Sequence, residues 1–173
     1  MRLYRLYTLT VVAIAAGFML FLAGCKVYSF NGASIPADIK NFSIELFQNR
    51  ANNGPPSLPQ TFTDALKLKF QTEANLRQVT QDADLKFSGT IVGFTYTNEA
   101  PVAGATSGLN KLTITVQVEY ENTKDENDKW VQTFTRYAQF SSSENINSVE
   151  NGLITEINRQ LVDDIFQKAF VKW

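Results

Sequence analysis

Two stretches in the second half of the chain alternate between apolar and polar residues, as strands with one buried face do. The clearest covers residues 111–121, and residues 130–140 alternate in the same way. A charged segment at 122–129 separates them, so the two runs predict a β-hairpin with a solvated outer face. The apolar members of the two runs are Leu112, Ile114, Val116, Val118, Tyr120, Trp130, Phe134, Ala138 and Phe140.

Two further strands are predicted earlier in the chain. Residues 39–47 alternate and predict the first. Residues 85–96 predict another, whose apolar positions change from odd to even around Gly89 and Gly93. Glycine inside a strand often marks an extra residue, so we expect a β-bulge here. The connection at 98–110 lacks periodicity, and loops of this length in compact domains are often functional or mobile.

Two segments have helical spacing. After a loop-like segment at 48–56, apolar residues recur every three or four positions from Phe62 to Phe70, and Ser57 with Gln60 can form a capping box. A last helix is predicted from about residue 147, where Asn-Ser-Val-Glu resembles a capping box, to about residue 171. Its main apolar column is Val149, Leu153, Ile157, Leu161 and Ile165.

The order of elements predicts an α+β fold, β-α-β-β-β-α. Two helices would pack on one face of a four-stranded, mostly antiparallel sheet. The opposite face is rich in threonine and other polar residues, and it is free to meet a partner.

Arg136 breaks the pattern of its strand because it shares the parity of the apolar residues. It is either a snorkelling or carboxylate-paired arginine at the sheet margin, or a contact to an anionic ligand. Arg136 and Lys111 are the candidate ligand-binding residues. Asp163 and Asp164 are adjacent on a helix and diverge by about 100°, so we interpret them as a solvated edge rather than a metal or catalytic pair.

The N-terminus has the pattern of an export signal. Arg2 and Arg5 precede an uncharged stretch at 11–23, which is too short to cross a hydrocarbon core about 30 Å thick. The stretch ends in Leu-Ala-Gly followed by Cys25, which resembles a bacterial lipobox. That resemblance implies cleavage before Cys25, a thioether from its sulfur to diacylglycerol, and acylation of the new amine. Several acyl chains together hold a protein stably on a bilayer.

These boundaries divide the chain into a signal peptide (1–24), an acylated lead-in (25–37) and a single domain (38–173). Removal of the signal takes Arg2 and Arg5 from the 16 basic residues, which leaves 14 against 17 acidic ones and a net charge of −3. Such a balance gives no electrostatic footprint for nucleic acid.

The available chemistry is narrow, because the chain has no histidine and its one cysteine is assigned to lipid. Cys-His and Ser-His-Asp nucleophile systems and His/Cys zinc sites are therefore excluded. No carboxylate pair has a supporting motif. We expect a non-catalytic protein with no metal and no cofactor.

Several stretches, in this order behind the lipobox, resemble the LptE family of outer-membrane lipoproteins of lipopolysaccharide assembly, in its divergent branch. They are YSFNGASIP (28–36), QTFTDAL (60–66), LTITV (112–116), FTRYA (134–138) and QLVDDIF (160–166). The resemblance implies a two-helix-on-sheet domain that sits in the LptD β-barrel, supports its assembly, and assists lipopolysaccharide transport into the outer membrane. It also implies a lipid-anchored protein that faces the periplasm or the barrel lumen.

A second hypothesis from a different class stays open. The 98–110 connection and Arg136 also suit an envelope lipoprotein that binds a lipid or another anionic ligand without a barrel partner. A hydrolase anchored in the envelope has no residue constellation to support it.

Overall fold

The structure, a computed structural model, describes residues 35–99 and 108–171. The predicted signal peptide, Cys25, most of the lead-in and the centre of the 98–110 connection lie outside the described residues. Within them, the elements are β1 (Asn41–Ile44), β2 (Gln48–Asn49), α1 (Leu58–Glu73), β3 (Arg77–Gln78), β4 (Leu85–Glu99), β5 (Leu109–Asn122), β6 (Lys129–Ser141) and α2 (Ile146–Phe170).

The sheet confirms the α+β class and differs from expectation in its strand number and direction. Its order is β3-β1-β4-β5-β6, and β2 pairs with β4 outside this path. The β4-β5-β6 meander is antiparallel as predicted, whereas β1 with β3, β1 with β4 and β2 with β4 are parallel pairs. The described part of the chain therefore forms a mixed sheet of six strands rather than four, because two-residue strands leave no alternation to read.

The predicted first strand is interrupted. The chain leaves β1 after Ile44, and the N–H of Glu45 donates to the carbonyl oxygen of Phe87 before β2 begins at Gln48. Leu46, an apolar residue of the predicted alternation, is therefore 57% exposed.

The predicted bulge is confirmed. Ile91 pairs with Val116 and Gly93 pairs with Thr115, so Val92 has no partner across the strand. The extra residue changes the parity, and Ile91 and Phe94 consequently both reach the core.

Both helices cover one face of the sheet and enclose the core. Phe70 of α1 is fully buried at its centre and makes edge-to-face contacts with aromatic rings of the sheet and of α2. Those rings belong to Phe42, Phe87, Phe166 and Phe170. The opposite face of the sheet carries no helix within the described residues, so the polar strand positions are left open.

The helix starts differ from the capping boxes expected. Ser57 is the N-cap of α1 but its side chain makes no capping bond, and the amide of Gln60 donates to Asp64 instead. The N-cap of α2 is Asn145, whose side chain accepts from the N–H of Asn147. The helix therefore begins one residue before the predicted start.

The two ends of the meander are far apart. Ile35 packs against the core at one end, where Leu85 begins β4, in a small pocket that Phe170 also lines. The other end is marked by Glu99, which pairs with Leu109. Since β4 has 15 residues, its ends are separated by roughly 45 Å at about 3.3 Å per residue.

None of the helices in the described ranges is long and apolar enough to span a bilayer.

Candidate functional site

The face of the meander opposite the helices is the first candidate surface, and we call it the open face. Cross-strand pairing arranges its side chains in rows of three, one residue from each strand. Its members are Lys86, Ser88, Thr90, Gly93, Thr95, Thr97 and Glu99 of β4, Leu109, Lys111, Thr113, Thr115, Gln117, Glu119 and Glu121 of β5, and Lys129, Val131, Thr133, Thr135, Tyr137, Gln139 and Ser141 of β6.

The middle of the open face is uncharged. Three successive rows consist of threonine, glutamine, glycine and tyrosine, while charged side chains occupy the rows towards both ends. The hydroxyls of Thr115 and Thr135 form a hydrogen bond across the strands at 3.1 Å. The rows are Thr90-Gln117-Thr133, Gly93-Thr115-Thr135 and Thr95-Thr113-Tyr137. This band offers many hydroxyl groups for hydrogen bonds without imposing a sign of charge.

Lys111 lies on the open face, near the end of the sheet from which the β4-β5 connection leaves. Its Nζ is 2.7 Å from a carboxylate oxygen of Glu99 and 5.1 Å from the ring centre of Tyr137. The hydrogen bond with Glu99 raises the pKa of Lys111, and the bonds from Lys111 and Gln139 lower the pKa of Glu99. An anionic ligand at Lys111 would therefore have to compete with Glu99.

Arg136 lies on the other face of the sheet, so the structure does not bring the two candidate residues together. Its guanidinium donates two hydrogen bonds of 2.6 Å to the carboxylate of Asp164 on α2, which raises the pKa of Arg136. The contact fits the carboxylate-paired interpretation, and it gives Asp164 a partner at the predicted solvated edge. Ligand binding by Arg136 stays a prediction.

A buried carboxylate ties β1 to the β5-β6 hairpin. The side chain of Asp84 accepts hydrogen bonds from the backbone N–H groups of Lys40 and Asn41, at 2.8 and 3.2 Å. It also forms an ion pair with the side chain of Lys124. The bond from Lys40 is the largest cause that lowers the pKa of Asp84. Together these contacts hold the start of β1 against the loop between β5 and β6.

A groove of about 730 Å³ between the two helices is the second candidate surface, and we call it the helix groove. Ala65 and Leu68 of α1 line it opposite Ile154 and Val162 of α2. Asn158 also lines it, is only 4% exposed, and has a side-chain oxygen without a hydrogen-bond partner. Sequence reasoning missed this residue, although its spacing of four from Ile154 and Val162 placed an amide within an apolar column.

Neither surface has the geometry of a metal centre. In the two described ranges, no group of three or more His, Cys, Asp or Glu side chains is placed to hold an ion. The arrangement offers two contact surfaces: an open face with an uncharged, hydroxyl-rich middle, and a groove between the helices.

Comparisons with solved structures show the same fold at low sequence identity. A hypothetical protein from Chlamydia trachomatis aligns with a TM-score of 0.53 and 8% identity, over 76% of this chain and 98% of its own. A protein from Xanthomonas campestris aligns with a TM-score of 0.54 and 12% identity, over 80% and 87%. A putative neuraminyllactose-binding hemagglutinin homolog from Helicobacter pylori gives 0.52 and 13%, over 82% and 88%.

The sequence itself matches one family description. No curated protein matches the chain. The family model for LptE, described as lipopolysaccharide-assembly, matches residues 39–169, which include every strand and nearly all of both helices. This chain therefore belongs to the LptE family and has a role in lipopolysaccharide assembly.

Proposed function

We propose that this protein is an outer-membrane lipoprotein, acylated on Cys25, that associates with an LptD-like β-barrel and supports lipopolysaccharide transport and insertion without catalysis. The family match over residues 39–169 is the observation that carries the proposal. The lipobox-like sequence that ends at Cys25 supports the lipid anchor and the membrane location.

The β4-β5 connection leaves the meander far from the start of the described domain. Ile35, the first described residue, lies beside Leu85, the first residue of β4. The β4-β5 connection leaves from Glu99 and Gly108, roughly 45 Å further along the meander. We propose that residues 100–107, which connect these two strand ends, reach into the barrel.

The polarity of the open face supports the proposal of a partner with a polar interior. The lumen of an outer-membrane barrel is polar. The hydroxyl-rich rows around Thr115 exchange hydrogen bonds readily and carry no charge that would need desolvation. A surface of this kind tolerates burial in a wet, polar interface.

Co-purification tests the proposal. The full chain with a C-terminal tag is extracted from membranes in mild detergent, and its intact mass and bound proteins are measured. We expect an acylated mature chain that begins at Cys25 and a stoichiometric large β-barrel. A Cys25→Ala variant serves as the control and should lose the acyl mass. Recovery of the acylated chain without a barrel would contradict the association and favour the ligand-binding alternative.

A further inference from the structure

The helix groove has a surface that is more apolar than its residue types suggest. Three of its lining residues are threonines, one near each end of α1 and one on α2. Each hydroxyl donates to a carbonyl oxygen of the preceding turn of its own helix: Thr61 to Leu58, Thr72 to Leu68 and Thr155 to Asn151. Because these hydroxyls are already hydrogen-bonded within their own helices, the threonines do not require hydrogen bonds from an occupant of the groove.

Asn158 is the exception to this internal pairing. The residue is only 4% exposed, and its buried side-chain oxygen makes no hydrogen bond. Leaving a buried polar group unpaired costs free energy, and native proteins carry few such groups. The oxygen itself is inaccessible from the groove. A half-turn of the amide exchanges its oxygen and nitrogen, and in that orientation the oxygen can accept a hydrogen bond from an occupant.

The charges at the rim of the groove decide which kind of occupant fits. Lys69 contacts Glu73 at 2.6 Å and Asp163 at 2.7 Å, and Arg159 lies 3.4 Å from Asp163. The two cations and two anions cancel, so the rim gives no net attraction to an anionic lipid headgroup. A neutral segment with an apolar body and one donor matches this groove, and in proteins tyrosine and tryptophan side chains have that character.

We propose that the helix groove is a protein-docking surface that receives a tyrosine or tryptophan side chain of a partner segment, with its O–H or N–H donated to Asn158. The chemistry of the occupant follows from the groove alone. The identity of the partner as the barrel rests on the proposed function.

A pair of small probes tests the chemistry without the partner. Indole has an apolar ring and one N–H, and N-methylindole has the same ring without a donor. Titrated into the full chain in detergent and followed by NMR shifts of the methyl groups of Ala65, Leu68 and Val162, indole should bind about fivefold more tightly, the factor that one net hydrogen bond gives. In the Asn158→Leu variant, the two probes should bind equally. Equal binding to the unmodified chain, or no binding of either probe, would overturn the proposal.

A groove-blocking variant provides a matched control. Thr155→Trp places a large ring in the groove from an exposed position of α2, whereas Glu156→Trp places it on the next exposed residue, which does not line the groove. Indole binding should be lost in the first variant and kept in the second. Equal effects of the two substitutions would overturn the assignment of the site.

Crosslinking in membranes then tests the partner. A benzophenone amino acid replaces Leu68, which lines the groove and is 61% exposed, or Asp64, which is exposed on α1 outside the groove. We expect adducts only from position 68, mapped to a tyrosine- or tryptophan-containing segment of the barrel. If the barrel co-purifies but position 68 gives no such adduct, docking of the barrel in the groove is refuted while the proposed function stands. If no barrel co-purifies, the proposed function fails and the indole pair alone decides the chemistry of the groove.

Discussion

At residue 89 the fold leaves no room for a methyl group. A Cβ on Gly89 would lie 2.3 Å from the carbonyl oxygen of Gln117 and 2.4 Å from the buried ring of Phe47. The first contact is with backbone, so relief of the clash would require the central strands to move apart. Glycine is needed here for close packing, and not for an unusual backbone angle.

We expect Gly89→Ala to lower the free energy of unfolding by about 3 kcal/mol, at the upper end of the usual cost of overpacking. Gly152→Ala is the control, since a Cβ there meets no atom within 4 Å and alanine favours the helix by roughly 0.5–1 kcal/mol. Urea denaturation of both variants measures the difference. A Gly89→Ala protein as stable as the unmodified chain would contradict the packing described at β4.

Asp84 predicts a pH dependence with a defined sign. Its pKa is lowered in the folded state below the ordinary value of 3.8, chiefly by the N–H of Lys40. Its stabilising contribution is therefore present above that value and is lost as the pH falls through the folded pKa. We expect Asp84→Asn to destabilise the protein at pH 7, and the difference in unfolding free energy to shrink below about pH 4. Denaturation at pH 7, 5 and 3 measures it, and a pH-independent difference would contradict the assigned contact.

At the scale of elements, the pair of Arg136 with Asp164 joins β6 to α2. Its bidentate geometry is favourable, but the arginine side chain is 47% exposed, so the coupling should be below about 1 kcal/mol. A double-mutant cycle with Arg136→Ala and Asp164→Ala measures it. Saturable lipopolysaccharide binding that is weakened by Arg136→Ala but not by Asp164→Ala would instead favour the ligand-binding role.

The β4-β5 connection predicts a separable element. Because Glu99 already pairs with Leu109, residues 100–108 can be replaced by Asn-Gly, a sequence suited to a tight hairpin turn. We expect the domain to keep its thermal midpoint within a few degrees while the amount of assembled barrel falls and sensitivity to bulky antibiotics rises. A replacement that leaves assembly and antibiotic sensitivity unchanged would contradict a role of this segment in the barrel.

The secondary-structure elements also show which parts of the fold can be predicted from the sequence. Regular alternation identified β5 and β6, and the phase change around Gly89 and Gly93 predicted a bulge, which the structure places at Val92. The strands β2 and β3 have two residues each, and they form only because distant partners supply parallel hydrogen bonds. No local pattern encodes such pairing, so these strands were not predictable from periodicity.

Of the two candidate surfaces, one was predictable from the sequence and the other was not. The polar parity of Lys111 and its threonine neighbours predicted the open face, because alternation assigns each residue to a face. The helix groove depends on how two helices diverge, which spacing alone does not determine. The amide of Asn158 within the apolar column was its only visible sign.

At the scale of the whole molecule, the proposed function describes a protein that acts through its contact surfaces. Contact surfaces lie on both sides of the domain, and the β4-β5 connection leaves from one end of the meander. Within the described ranges no metal-ligating cluster accompanies them. The proposed function assigns the role in lipopolysaccharide assembly to the shape and hydrogen bonding of these surfaces.

Depletion of the chain in its own bacterium, followed by measurement of lipopolysaccharide on the cell surface, tests this role most directly. The proposed function predicts that surface lipopolysaccharide and the folded barrel both fall, that the unmodified chain restores them, and that the Cys25→Ala variant restores them poorly. Normal surface lipopolysaccharide in fully depleted cells would contradict it.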